Sequence, residues 1–260
     1  MKGLLNKYIY LFLIIPFVIS CDKNDPITEL GDSNGQFLAS LSVSYSNSKP
    51  ALGDTVLVTA STWQRDDKIS KVEMTETVVE NFGLNFTLTK GTNISTFDAE
   101  KKISLLKLTD TISKSEPWFV VNNQNKELDQ YFITLTNNYV IRARYPFKHK
   151  DGKYKNDVSV FNELTNDEFA VIKSILAYQI SQADYKAIFP TSPASHFSTG
   201  TYALSNEGMV FLKASLTKEL LIQHIASVKK AGTYSSEVFT HVTTPSGAVK
   251  SSNTTFQVIL

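Results

Sequence analysis

The chain has 260 residues, a length that fits one large domain or two small ones. Its 26 Lys and Arg against 25 Asp and Glu leave a formal charge of +1, which offers no electrostatic footprint for nucleic acid. With 42% hydrophobic and 20% charged residues it reads as a folded globular protein, neither a disordered chain nor a polytopic membrane protein, and its one cysteine excludes an intramolecular disulfide.

At the N-terminus Lys2 and Lys7 precede an apolar run from Tyr8 to Ile19. That is the basic and apolar layout of a secretory signal, and it is too short for a transmembrane helix of roughly 17 to 25 residues. Val18-Ile19-Ser20-Cys21 follows, and it resembles the lipobox of bacterial lipoproteins, with Ile19 bulkier than that pattern prefers. The resemblance implies cleavage before Cys21, acylation of its thiol, and a protein held to a membrane by lipid in the cell envelope, at the outer membrane in preference to the inner one. Two or three acyl chains at about 0.8 kcal/mol per buried methylene make a stable anchor where one chain is marginal. Removing residues 1–20 takes away two lysines and no acid, so the mature chain carries 24 basic and 25 acidic side chains.

Residues 21–36 are rich in Asp, Asn, Gly and Ser and read as a solvated tether. A first β-rich unit is expected over 37–162. Leu38 to Tyr45 alternates apolar and polar residues, and Thr55 to Ala60, Val72 to Val79, Leu84 to Thr89, Ile103 to Leu108, Trp118 to Val121 and Tyr131 to Leu135 continue a series of short strands. Such spacing predicts a mainly β sandwich or barrel.

Tyr139, Gly152 and Phe161 are spaced by 13 and 9 residues, and Tyr234, Gly247 and Phe256 repeat that spacing. Each set reads as a strand, a glycine turn and a closing strand, with Val158 to Phe161 and Thr254 to Val258 as the closing strands. Ala231-Gly232-Thr233-Tyr234 resembles the approach to the penultimate strand of immunoglobulin-like and fibronectin-like domains, where a tyrosine forms the tyrosine corner. The resemblance implies an immunoglobulin-like β-sandwich, single or two in tandem, with one or two inserted or connecting helices. Residues 163–260 would then hold a helix followed by a second β-rich unit.

Thr165-Asn166-Asp167-Glu168 is a capping box, with Leu164 and Phe169 placed as a hydrophobic staple. Phe169, Ile172, Leu176, Ile180 and Ala183 follow at helical spacing, and Pro190 and Pro193 are the expected stop. Leu216 to Lys230 is open between a second helix, capped at Gly232, and a strand.

Common catalytic and nucleotide-binding motifs are missing from the sequence, and His149, His196, His224 and His241 have no metal-ligand spacing, so no metal or cofactor is expected. Ser195-His196 reads as a polar loop. Asp66, Asp67, Asp98 and Glu100 are the acids that a calcium loop would use. Asp54-Thr55-Val56 and Asp110-Thr111-Ile112 match a short O-glycosylation acceptor pattern that requires an exposed hydroxyl. Trp118 reads as core. Trp63, Arg142, Arg144 and Tyr145 form the candidate ligand platform, since an aromatic ring and a basic strip suit a carbohydrate or protein partner. The expected function is a lipid-anchored, non-catalytic binding or adhesion module of the envelope. The alternatives are a glycan hydrolase or esterase built from distant loops, and a structural spacer.

Overall fold

The computed structural model describes residues 38–64, 68–98, 103–124, 126–199 and 203–260. The signal, Cys21 and the tether lie outside the described residues. In chain order the strands are β1 (Ser40–Tyr45), β2 (Thr55–Trp63), β3 (Lys71–Leu88), β4 (Asn93–Ser95), β5 (Phe97–Asp98), β6 (Ile103–Ser104), β7 (Leu108–Asn122), β8 (Phe132–Ile133) and β9 (Asn138–Pro146). The helices α1 (Val160–Glu163), α2 (Asn166–Gln179), α3 (Gln182–Ile188), α4 (Asn206–Ser215) and α5 (Lys218–Gln223) come next, and β10 (Ile225–Thr243) and β11 (Val249–Ile259) close the described chain.

The protein is mainly β, a sandwich with helices added. Sheet A has the order β1-β2-β9-β8; sheet B has the order β11-β10-β3-β4, with β7 also paired to β3. Every ladder is antiparallel, and β3 pairs with β10 from Lys71–Thr243 to Leu88–Ile225. Two such long strands outrun any single partner layer, so different halves of one face of sheet B are covered by different elements. Sheet A covers one half. Val56, Val58, Ala60, Ile141 and Ala143 meet Val72, Met74, Val78, Val238, Val242 and Phe256 in one core. The helices cover the other half, where Phe82, Leu84, Phe86 and Leu88 meet Phe161, Ile172, Leu176, Leu212 and Leu221 in a second core. Each of these valines, leucines, isoleucines, phenylalanines and methionine, fully buried, contributes roughly 1.5–3 kcal/mol of apolar transfer.

The capping box forms as expected: the Glu168 amide donates to Thr165 Oγ1 at 3.2 Å, and the Thr165 amide donates to Glu168 Oε2 at 2.6 Å. Leu164 and Phe169 are both buried. The helix stops earlier than the prolines suggest. Ser181 caps a new helix, accepting from the Asp184 amide at 3.1 Å, so the helical phase restarts and Ala183 is exposed.

The repeated Tyr, Gly, Phe spacing does not mark a structural repeat. Tyr234, Gly247 and Phe256 lie on a β10–β11 hairpin whose turn glycine has φ of 85°. Tyr139 begins a strand of the other sheet, and Phe161 lies on α1. The expected strand there becomes helix because the Ser159 amide donates to Asp157 Oδ1 at 2.8 Å, a local turn that the next residues continue. Nor is Tyr234 a local tyrosine corner: its hydroxyl donates to the Lys148 carbonyl at 2.9 Å and accepts from the Lys150 amide at 3.1 Å, a segment far upstream. Residues on both sides of position 162 share sheet B, since β10 pairs along β3.

Candidate functional site

Strand alternation decides which predicted platform residues share a face. On β9, Tyr139, Ile141, Ala143 and Tyr145 point inward and are buried, while Arg142 and Arg144 point outward and are exposed. Arg142 stands opposite Thr59 and Arg144 opposite Leu57. Trp63, 47% exposed, ends β2 with the same outward parity. Three of the four platform residues therefore lie on the outer face of sheet A. Tyr145, 2% exposed, does not reach that face. The three do not converge: Trp63 stands one step past the Thr62–Tyr139 pair, about four residues or 13 Å along the sheet from Arg142.

At the Arg144 end of this face lies an open concavity of about 520 Å³, lined by Ser46, Thr55, Leu57, Arg144 and Pro146. Leu57 is 38% exposed there, and neither Arg142 nor Arg144 has an ion-pair partner among the described residues. Two arginines two residues apart on one strand have Cα atoms about 7 Å apart on one face, which suits two anionic groups or one extended one. Leu57 and Pro146 provide apolar surface, and Thr55 a hydroxyl. Leu57 was not among the predicted residues, although the alternation of β2 would have put it on the outer face.

A polar belt crosses sheet B between its two cores. The Tyr145 hydroxyl donates to Glu76 Oε2 at 2.6 Å and lies 2.6 Å from Ser236 Oγ. Burial, followed by the hydrogen bond to Glu76, raises the Tyr145 phenol well above its ordinary range. Lys150 bridges Glu76 and Glu116, at 2.7 Å from the latter. Four residues along β3, Glu80 is wholly buried and receives the Lys230 ammonium, while His149 Nε2 lies 3.2 Å from its other oxygen. Lys230 also donates to the Tyr154 carbonyl at 3.0 Å. A cavity of about 190 Å³ borders this belt, lined in part by His149, Asp151, Lys155, Lys229 and Lys230. Sequence reasoning missed Glu76, Glu80 and Lys230 because their partners are 69 or more residues away. Both carboxylates are held by cations, which fits them for joining the two cores better than for proton transfer.

The remaining predicted residues fall elsewhere. Trp118 packs against the sandwich core, with its ring 5.1 Å from that of Tyr145. His196 is buried with Nδ1 2.7 Å from the Tyr185 hydroxyl, so its ring is engaged there, and Ser195 is exposed. His149 stacks on Tyr234, and His241 lies between Thr75 and Ser251. Thr55 and Thr111 are both exposed, which meets the physical requirement for O-glycosylation. Asp66, Asp67, Glu100 and the Asp98 side chain lie outside the described residues. Among the described residues no three or more His, Cys, Asp or Glu side chains gather as a metal site, and no helix is long and apolar enough to cross a membrane.

Against known proteins, no family model matches the chain and no curated protein matches it.

Proposed function

We propose that the protein is a lipid-anchored envelope module that binds an acidic carbohydrate on the outer face of sheet A and performs no catalysis. The observation that carries this reading is the concavity lined by Arg144, with Arg142 two residues away on the same outer face; neither guanidinium group has a carboxylate partner among the described residues. An arginine fork pairs with a carboxylate or sulfate through two parallel hydrogen bonds, and exposed Leu57 and Pro146 suit the apolar face of a sugar ring. A shallow, open sheet face fits an extended chain better than a small molecule, which requires a more enclosed pocket. The lipobox-like Val18 to Cys21 segment supports the anchor.

The test is retention of the protein on immobilised polygalacturonate and heparin, with neutral dextran as the control. The intact protein is expected to be retained by at least one acidic polymer and to elute freely from dextran. The double substitution Arg142→Ala with Arg144→Ala is expected to weaken retention at least about tenfold, since two charge-assisted contacts are lost. Free passage of the intact protein over both acidic polymers, or equal retention of the double variant, would overturn the glycan reading. Membrane fractionation of Cys21→Ala beside the intact chain tests the anchor separately; a variant that stays in the membrane fraction would count against lipidation.

A further inference from the structure

We infer that the end of sheet A carrying Trp63 is a membrane-docking tip, which seats the tethered domain on the bilayer through apolar contact. The inference rests on the lipid anchor proposed above and adds the surface that meets the lipid. Leu38, Trp63, Ile133 and Leu135 are all exposed large hydrophobic residues, at 58%, 47%, 42% and 95%. They come from three separate stretches of chain, yet the register gathers them. Trp63 pairs with Ser40, two residues after Leu38. Ile133 pairs with Asn138 on β9, beside the end of β2, so Trp63 and Ile133 stand two strands apart, about 10 Å. Leu135 sits at the apex of the β8–β9 turn, which the Thr136 amide closes by donating to the Ile133 carbonyl at 3.2 Å. A leucine that exposed at a hairpin apex, with a tryptophan and an isoleucine behind it, is an apolar patch without a protein partner among the described residues.

The bilayer is the occupant because of where the anchor attaches. Leu38 is itself part of the tip, and 16 residues separate it from Cys21. A coil of that length spans on average about 20–25 Å, so a lipid on Cys21 holds the tip close to the membrane surface at high effective concentration. Even a weak apolar contact is then populated. Tryptophan with leucine and isoleucine is the composition that settles at the headgroup boundary. Exposed charges nearby are mixed, with Lys126 beside Glu127 and Asp129, so docking is expected to depend little on salt. Arg144 lies about 20 Å from this tip along β9, which leaves its concavity clear of the lipid.

The experiment uses the lipidated full chain in vesicles of phosphatidylethanolamine and phosphatidylglycerol doped with bromine-labelled phosphatidylcholine. The chain has two tryptophans, so Trp118→Phe leaves Trp63 as the sole reporter. Trp118 Nε1 is buried with no hydrogen-bond partner, so phenylalanine forfeits no bond there. Trp63 emission is expected to shift to the blue and to lose at least half its intensity to the bromine label, at low and high salt alike. Ile133→Asp with Leu135→Asp should stay in the membrane fraction and lose most of that quenching. Trp63→Phe in the otherwise intact chain is a second route, since it should remove the quenched component. Membrane-bound protein with unquenched Trp63 would overturn the docking and leave the anchor standing. A blue shift without bromine quenching would overturn it in favour of a protein partner or a second copy. Protein found in the soluble fraction regardless of Cys21 would remove the anchor, and the docking with it.

Discussion

Lys230 reaches forward along β10 past Gly232 to place its ammonium on the carboxylate of Glu80, and both side chains are buried. Across the ladder Glu80 faces Tyr234, and Lys230 faces Leu84, so the ion pair runs diagonally over Phe82, whose ring lies 5.0 Å from the Lys230 nitrogen. Removing one partner strands the other charge away from water, at a cost of about 3–5 kcal/mol. Glu80→Gln and Lys230→Met are each expected to destabilise by about that amount in urea unfolding. Glu80→Leu with Lys230→Met should cost much less than the sum of Glu80→Leu and Lys230→Met, because no buried charge is left unpaired. Strictly additive costs would show that the pair is not coupled.

The same pair explains which parts of the fold were legible in the sequence. Alternation located the cores of β1, β2 and β9, and the capping box located α2, because these signals are local. The length of β3 was hidden: Val72 to Val79 and Leu84 to Thr89 read as two strands because Glu80-Asn81-Phe82-Gly83 looks like a break. It is one strand because Lys230, far away in sequence, satisfies Glu80 within it. Leu216 to Lys230 was ambiguous for a related reason. Helix α5 ends at Gln223, and β10 starts two residues later on the edge offered by β3. On the candidate face, Arg142 and Arg144 were readable from residue type, but Tyr145 was misplaced: it is the neighbour of Arg144, and strand alternation alone puts it on the opposite face, with Ile141 and Ala143.

Gly232 is predicted to be intolerant of any side chain. A Cβ there would lie 2.1 Å from the Asn81 carbonyl oxygen and 2.5 Å from the Phe82 Cα, backbone atoms that cannot step aside without opening the β3–β10 ladder. Gly232→Ala should cost at least about 2–3 kcal/mol by thermal or urea unfolding, at the upper end of overpacking penalties. A change below about 0.5 kcal/mol would show that the two strands stand further apart at this point.

Asp184 pins the β3–β4 turn to α3. Its carboxylate accepts from the Lys90 amide at 2.7 Å, the Thr92 amide at 3.0 Å, Thr92 Oγ1 at 2.5 Å and Ser181 Oγ at 3.0 Å. Burial pushes the Asp184 carboxyl up, but the bonds from Thr92, Lys90 and Ser181 outweigh it and hold the group below its ordinary value. A depressed native value means that the unfolded chain binds the proton first. The resulting stability is present above about pH 4 and is lost as pH falls through the lower native value. Asp184→Ala is expected to cost about 2–4 kcal/mol near neutrality from several charge-assisted bonds, and its unfolding free energy should change less steeply below pH 4 than that of the intact protein. Parallel acid curves for the two proteins would contradict this assignment.

Tyrosines set the alkaline side. Burial raises the phenols of Tyr45, Tyr139, Tyr145, Tyr185 and Tyr234 above the ordinary value of 10.0, and in Tyr145 the hydrogen bond to Glu76 adds to it. In each case the folded chain keeps a proton that the unfolded chain releases, so stability is complete below about pH 10 and declines as pH rises beyond it. Tyr145→Phe removes one contributor together with its bond to a charged acceptor. It should lower stability by about 1.5–3 kcal/mol at pH 7, with a shallower loss between pH 10 and 12 than the intact protein shows. Phenolate absorbance followed over the same range should show that a fraction of the eleven tyrosines ionises only on unfolding. If all eleven titrated freely near pH 10 while the protein remained folded, the belt joining the two cores would have to be open to water, and the Tyr145 bond to Glu76 could not be the contact that holds it.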